Sequence, residues 1–214
     1  MEFNDLTYGN PSHDQLSFIQ GNCLVDSLFD TFKDSVVPNN DSELVKEELN
    51  EIADCLVVIS QPENQDYLKR YLAYDRNLIQ ALSSIFKQKD IEVEELITDV
   101  IKDIQNLIYR LKYHFQRPRP YQLAQYYKLK LFPYKSFSAH TPSYPSGHTI
   151  QAIVILNVIG NKYPTEYNYC KELIEDIIYS RVYLGHHFPS DNDGGREIAK
   201  AILKHPEFAK KYGI

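Results

Sequence analysis

The sequence predicts an all-α fold, which we interpret as a packed helical bundle. Apolar side chains recur at intervals of three and four residues along most of the chain, and Pro-, Asn- and Gly-containing breaks separate these segments. No stretch shows the alternation of a half-buried strand. With 214 residues, 43% of them hydrophobic, the chain can bury a sizeable core. We expect one domain over residues 1–214, with an N-terminal helical scaffold (1–90) and a helical core (91–205).

The N-terminal part shows helical patterns without obvious chemistry. Residues 13–37 predict one or two helices with a break near Gly21. Asn40, with Glu43 three residues later, resembles a capping box and predicts the start of the next helix. Residues 68–86 predict one further helix. We expect this part to serve as scaffold or partner surface.

The strongest periodic segment lies in the middle of the chain. Apolar residues from Val93 to Leu111 recur at helical spacing, which predicts a long amphipathic helix. That helix should end before Pro118, since proline cannot continue it. A Tyr-, Lys- and Pro-rich connector follows over residues 121–145, with a short helix near its start.

Four helices are expected in the C-terminal part. An apolar run predicts a helix from about His148 to Asn161. Pro164, Pro189 and Pro206 each open a further helical segment, in keeping with the preference of proline for the first helical turn.

The turn Pro145-Ser146-Gly147-His148 precedes this apolar run. A helix start leaves backbone N–H groups unpaired, so those of Ser146, Gly147 and His148 should point outward and could cradle an anion. A plain helix cap is the simpler interpretation of such a turn.

A basic cluster follows the long helix. Lys112 lies at the edge of its buried face, and prolines flank Arg119 in the run Arg117-Pro118-Arg119-Pro120. Arginine suits bidentate recognition of phosphate oxygens, and lysine adds a point charge. The alternative is a set of solvated cations that favour the helix C-terminus.

Arg181 lies on the apolar stripe of its helix, where an arginine is costly unless an anion meets it. His186, His187, Ser190 and Asp191 follow. A carboxylate that orients one nitrogen of a histidine fixes its tautomer and makes the other nitrogen more basic. A capped turn is the alternative, with Ser190 or Asp191 as the cap. A metal site is less favoured, because side chains of adjacent histidines diverge.

Together these residues resemble the type-2 phosphatidic acid phosphatase (PAP2) superfamily, which includes bacterial class A acid phosphatases and vanadium haloperoxidases. The resemblance covers residues 112–191. It rests on three motifs: Lys112 followed after six residues by Arg119-Pro120, the turn at 145–148, and Ser180-Arg181 with His187 and Asp191. It implies a helical bundle with the site between helices, and phosphatase chemistry without a metal or other cofactor.

The resemblance also implies residue roles. His187, oriented by Asp191, would attack phosphorus and form a phosphohistidine, and protonated His148 would supply the leaving-group proton. The phosphate-binding residues would be Lys112, Arg119, Ser146, Gly147 and Arg181. His186 and Arg117 fall outside the pattern and are expected behind the site or at the surface, unless Arg117 widens the anion pocket. We expect a bell-shaped, mildly acidic to neutral pH profile and inhibition by vanadate.

Three other functions are also compatible with these motifs. A vanadium-dependent haloperoxidase would need bound vanadate, and the chain is short for that branch. A phosphate- or nucleotide-binding module would use the pocket without turnover, although the intact histidines count against it. A lipid phosphatase would lack the expected membrane helices. We expect residues 121–144 and the N-terminal helices to determine which substrate is bound.

The net charge and the pI limit the kinds of partner that the protein can bind. The net charge of −6 and the pI of about 5.6 argue against a nucleic-acid polymer but allow a small phosphorylated substrate. No signal peptide is apparent, no apolar run is long enough to span a membrane, and the three cysteines look like reduced thiols, so we expect a soluble cytoplasmic protein. An exposed apolar face on the N-terminal helices would indicate a homodimer.

Overall fold

The computed structural model describes residues 3–214, and the residues in that range form helices and connecting turns without any strand. The prediction of an all-α fold is confirmed. Three short 3₁₀ turns accompany the α-helices, whose bounds are α1 (His13–Gln20), α2 (Leu28–Phe32), α3 (Glu43–Ile59), α4 (Gln65–Arg76), α5 (Leu78–Lys87), α6 (Glu94–Phe115), α7 (Pro120–Ala124), α8 (Gly147–Lys162), α9 (Tyr167–Tyr183), α10 (Pro189–Lys204) and α11 (Pro206–Tyr212).

Helix α8 is the centre of the bundle. Its side chains are apolar on nearly every face, from Ile150 to Ile159, and most of them are fully buried. A helix that is apolar all round must be covered on all sides. Helices α6, α9 and α10 supply that cover. The N-terminus of α8, where the turn at 145–148 lies, is therefore surrounded by the chain segments that carry the predicted site residues.

The helix expected over residues 68–86 is in fact two helices, so this prediction was wrong. The break falls at Asn77, whose side chain accepts a hydrogen bond from the Gln80 N–H at 3.0 Å and caps α5. Asparagine competes for backbone donors and so favours a helix start. The apolar spacing continues across the break and hides it.

The cap of α3 also differs from the expectation. Ser42 is the N-cap, and its hydroxyl accepts a hydrogen bond from the Val45 N–H at 3.3 Å. Asn40 instead donates to the carbonyl oxygens of Phe3 and Leu6 at 3.3 and 3.0 Å. Asn40 therefore ties the N-terminal segment to the body.

The N-terminal helices pack directly on the C-terminal half. Both α3 and α4 contact α9. At the end of α6, Gln116 adopts a left-handed conformation with φ of 51°, and its N–H donates to the Lys112 carbonyl at 2.9 Å. This ending turns the chain sharply, so that Arg117 and Arg119 return toward the bundle.

Candidate active site

A cavity of about 140 Å³ brings together most of the predicted site residues. It is lined by Lys112 of α6, Arg119 before α7, Gly147 and His148 at the start of α8, Arg181 of α9 and His187 before α10. Segments that are far apart in the sequence therefore converge on one cavity. The other lining residues are Ile108, Tyr109, Ser138, Thr141 and Gln151.

Three buried cations dominate the electrostatics of the cavity. Lys112, Arg119 and Arg181 are 5%, 2% and 0% exposed. Burial, together with the charges of Arg119 and Arg181, holds the pKa of Lys112 well below its usual range. Burial likewise lowers the pKa of Arg119 to about 10, with Arg181 adding to the effect and Asp191 opposing it. Such a concentration of positive charge favours the binding of an anion.

Backbone carbonyls hold two of these cations in place. Lys112 Nζ donates to the carbonyl oxygen of Pro142 at 2.7 Å. Arg119 donates through Nε to the Thr141 carbonyl and through Nη1 to the His186 carbonyl, both at 2.8 Å. These contacts fix the direction of each side chain without neutralising its charge.

His187 has a defined tautomer. Its Nδ1 lies 3.1 Å from Asp191 Oδ2, which also accepts hydrogen bonds from the Phe188 N–H and the Ser143 hydroxyl. A carboxylate accepts, so Nδ1 carries the hydrogen and Nε2 of the neutral ring keeps its lone pair. Arg119 Nη1 donates a hydrogen bond to this lone pair across 2.9 Å. Burial and then Arg119 hold the pKa of His187 well below its usual range, which favours the neutral ring.

His148 lines the same cavity as His187 and is half-buried. Burial and the charge of Arg181 hold the pKa of His148 well below its usual range, although Asp75 opposes this. The side chains of the cavity by themselves thus favour a neutral His148. A doubly charged phosphate among the same groups would act in the opposite direction.

Ser146 has a different role from the one expected. Its N–H donates to the Asp191 carbonyl at 3.0 Å, and its hydroxyl accepts hydrogen bonds from the N–H and hydroxyl of Thr149 at 3.4 and 2.9 Å. Ser146 is fully buried and acts as the N-cap of α8. The prediction that its N–H is unpaired is therefore wrong. Gly147 does line the cavity, and its N–H precedes the first intrahelical hydrogen bond.

Arg117 lies behind the site. Its Nη1 is 2.6 Å from Asp191 Oδ1 and 2.8 Å from Ser190 Oγ, and its guanidinium stacks on the Phe188 ring at 4.2 Å. Arg117 does not line the cavity, so it does not widen the anion pocket. Burial opposes ionisation of Asp191, but Arg117 and His187 more than offset this and lower the pKa of that carboxyl.

Two buried carboxylates were missed by the sequence analysis. Asp75 of α4 accepts hydrogen bonds from Arg181 Nη1 at 3.0 Å and from the hydroxyls of Ser136 and Ser138. Glu48 of α3 contacts Arg117 and Ser190. Helices α3 and α4 of the N-terminal part therefore supply buried partners for Arg117 and Arg181.

A sequence signal for both carboxylates did exist. Asp75 follows Leu68 and Tyr71 by seven and four residues, and Glu48 lies between Val45 and Ile52 at helical spacing. Each carboxylate thus interrupts an apolar stripe, as Arg181 does.

Within residues 3–214, no group of three or more His, Cys, Asp or Glu side chains is arranged to hold a metal ion. Among the helices of that range, none combines the length and the apolar character that crossing a bilayer requires.

The fold and cavity define a helical protein with a buried cavity that three cations and two histidines line. The family model of the PAP2 superfamily matches residues 96–204, half of the chain, and the protein belongs to this superfamily. Phosphatase-type activity is the activity class that this membership supports.

A solved structure has the same fold over most of its length. It is the crystal structure of the first transmembrane PAP2-type phosphatidylglycerolphosphate phosphatase from Bacillus subtilis. The two chains share 20% sequence identity with a TM-score of 0.53, and the alignment covers 88% of this chain and 91% of that one. Asp75 and Glu48 lie outside the segment that the family model matches.

Proposed function

We propose that this protein is a metal-independent phosphatase that hydrolyses phosphate monoesters or pyrophosphate bonds through a phosphohistidine on His187. The observation that carries the proposal is the contact between His187 Nδ1 and Asp191 Oδ2 at 3.1 Å. It leaves Nε2 as the nucleophilic nitrogen of a residue that lines the cationic cavity.

In the first step, the bound phosphate takes over the hydrogen bond that Arg119 Nη1 donates to His187 Nε2. The freed lone pair of Nε2 attacks phosphorus and forms an N–P bond. The bond between phosphorus and the leaving oxygen breaks, and protonated His148 donates its proton to that oxygen. Asp191 stabilises the positive charge that the attacking ring acquires.

In the second step, a water molecule attacks phosphorus and the N–P bond breaks. His148, now neutral, takes a proton from the water. Inorganic phosphate leaves, and the enzyme returns to its starting protonation state.

The cations act throughout both steps. Lys112, Arg119 and Arg181 come from three different elements and are preorganised around the cavity. Fixed positive groups stabilise the charge on the equatorial oxygens of the trigonal phosphoryl group without reorganising.

The first experiment measures phosphate release from p-nitrophenyl phosphate by wild type, His187→Ala and His13→Ala. His13 is exposed and far in sequence from the cavity residues, so its variant is the matched control. We expect loss of turnover only in His187→Ala, inhibition by orthovanadate and no effect of EDTA. Full activity of His187→Ala would contradict the proposal, and loss of activity with EDTA would contradict its metal-free part.

The two alternative functions, a haloperoxidase and a binding module, predict different results in parallel assays. A haloperoxidase would brominate a reporter dye when given vanadate, peroxide and bromide. A binding module would bind phosphate without releasing product. A screen of phosphorylated metabolites, nucleotides and diphosphates then identifies the substrate class.

We also propose that the protein is soluble and cytoplasmic and forms a homodimer. A soluble cytoplasmic protein would appear in the supernatant when cells are fractionated. Helix α3 exposes Leu44, Val57 and Val58, which are 49%, 61% and 47% accessible, and these are the kind of apolar side chains on which the homodimer prediction depends. Sedimentation analysis of wild type and Val57→Ser tests that prediction.

A further inference from the structure

A buried carboxylate from the N-terminal part of the chain lies behind the active-site aspartate. Glu48 of α3 is 4% exposed. Its Oε1 accepts a hydrogen bond from the Ser190 N–H at 2.5 Å, and its Oε2 accepts one from the Ser190 hydroxyl at 2.9 Å. Arg117 Nη2 lies 3.4 Å from the same Oε2. Glu48 is thus bound to a neighbour of Asp191 and to the arginine that contacts Asp191.

Arg117 is shared between two carboxylates. It is 3% exposed, with Nη2 toward Glu48 and Nη1 at 2.6 Å from Asp191 Oδ1. The other oxygen, Asp191 Oδ2, contacts His187. Glu48, Arg117, Asp191 and His187 therefore form one continuous chain of contacts, each through a separate atom.

Every member of this chain is buried, so its charges are poorly screened and act on one another strongly. Arg117 alone would offset much of the negative potential that Asp191 creates at His187. Because Glu48 places a negative charge on the other side of Arg117, the potential at His187 stays more negative.

We propose that Glu48 and Arg117 are positioning residues that set the effective charge of Asp191 and thereby the basicity of His187 Nε2. This inference rests on the proposed function, in which His187 is the nucleophile. Neither residue touches the cavity.

The two residues act in opposite directions. Glu48→Gln removes a negative charge, leaves Arg117 paired with Asp191 alone, and should lower the pKa of His187. Arg117→Gln removes the positive charge and should raise the pKa of His187. The double variant removes both charges and should return this pKa close to the wild-type value. The groups that face His187 from other elements are unchanged in all variants, namely Lys112, Arg119, His148 and Arg181.

The test is a titration of the His187 ring by NMR in protein with labelled histidine, with saturating inorganic phosphate as the probe. The variants are Glu48→Gln, Arg117→Gln, the double variant and Glu175→Gln. Glu175 pairs with Arg196 at 2.6 Å at the surface and serves as the control for loss of an ion pair. We expect shifts of about half a pH unit in opposite directions for the two single variants.

Shifts in the same direction, or no shift beyond that of Glu175→Gln, would overturn the inference. Arg117→Gln leaves two carboxylates close together and could unfold the protein. Glu48→Gln and the double variant therefore provide a test that does not need Arg117→Gln. The double variant must reverse the shift in the pKa of His187 that Glu48→Gln produces. A purely structural role would change the stability of the variants without moving the pKa of His187 in opposite directions in Glu48→Gln and Arg117→Gln.

The same variants separate this inference from the proposed function. The acidic limb of the kcat profile, which reports the liganded enzyme, should move in the same direction as the NMR titration in each variant. If the ring titrates as expected but no variant, nor the wild type, releases phosphate from any substrate, the positioning role stands and the proposed function fails.

Discussion

Arg181 Nη1 and Asp75 Oδ1 lie 3.0 Å apart in an ion pair whose side chains are both 1% exposed. The pair joins the segment matched by the family model to a helix outside it. Arg181 also donates through Nη2 to Ser138 Oγ at 3.3 Å. Its buried Nε has no hydrogen-bond partner within residues 3–214. The arginine on the apolar stripe thus meets a protein anion and keeps a free donor.

Removing Asp75 should strongly destabilise the folded protein. Asp75→Ala leaves Arg181 buried and unpaired, so we expect the free energy of unfolding to fall by about 3–5 kcal/mol. Urea denaturation at neutral pH measures it. Asp66→Ala, which removes a surface partner of Lys69, should cost about 0.5 kcal/mol or less. Equal losses in the two variants would contradict a structural role for the buried pair.

Anion binding should take up protons. Burial and the charge of Arg181 hold the pKa of His148 below its usual range, and a sulfate ion, a dianion that brings no proton of its own at pH 6.5, raises it on binding in the cavity. Anion binding is therefore accompanied by proton uptake at any pH between the pKa without the anion and the pKa with it. Calorimetry at pH 6.5 in buffers of different ionisation enthalpy measures the uptake. Release of protons, or no exchange, would contradict this electrostatic description of the cavity.

His148→Ala should discriminate among leaving groups. Positioned acid catalysis contributes roughly 10²–10⁴-fold, and it matters most when the leaving oxygen is basic. We expect a loss of this size for an alkyl phosphate and a much smaller one for p-nitrophenyl phosphate. The ratio of kcat/KM values for the two substrates is the measurement. Equal losses would show that His148 does not donate the proton.

Stability should fall on acidification below neutral pH. Burial and the charge of Arg181 lower the pKa of His186 to about 3, so the unfolded chain binds a proton at this residue below pH 6.5 that the folded chain does not. The contribution is complete above pH 6.5 and is lost as the pH falls toward 3. Asp75, whose pKa is also lowered, adds to the loss below about pH 4.

The urea midpoint at pH 7.5 and at pH 5 tests this pH dependence. His186 Nε2 donates to the Tyr134 carbonyl at 2.9 Å, and His186→Gln keeps a donor without the titration. We expect a smaller difference between the two pH values in His186→Gln than in wild type. An unchanged difference would remove His186 from the explanation.

Ser146→Ala should affect stability more than phosphate binding. The Ser146 hydroxyl caps α8 through Thr149 and does not line the cavity. Loss of such a cap costs about 1 kcal/mol. Thermal unfolding and the KM for p-nitrophenyl phosphate are the two readouts, with Arg119→Ala as the comparison. A KM as high as that of Arg119→Ala would mean that the hydroxyl turns toward the substrate.

The sequence predicted those parts of the molecule whose signal is local. The helical period of apolar residues predicted the all-α fold, and the motif residues from Lys112 to Asp191 predicted six of the residues that line the cavity. The break at Asn77 was missed because the apolar spacing runs through it, and a capping side chain decides it.

The partners of the site residues could not be read in the same way. Asp75 meets Arg181 across a sequence separation of 106 residues, and Glu48 reaches Ser190 across 142. Such pairs depend on how helices pack, which periodicity within one helix does not specify. The N–H of Ser146 was assigned to the anion for the same reason: its acceptor, the Asp191 carbonyl, comes from another element.

The most direct test of the central claim is to trap the covalent intermediate. Wild type, His148→Ala and His187→Ala are mixed briefly with a ³²P-labelled substrate, quenched in alkali and digested, and the labelled peptide is identified by mass spectrometry. We predict label that is stable in alkali and labile in acid, on His187 alone, with none in His187→Ala. Turnover without such label, or label on another residue, would contradict the mechanism.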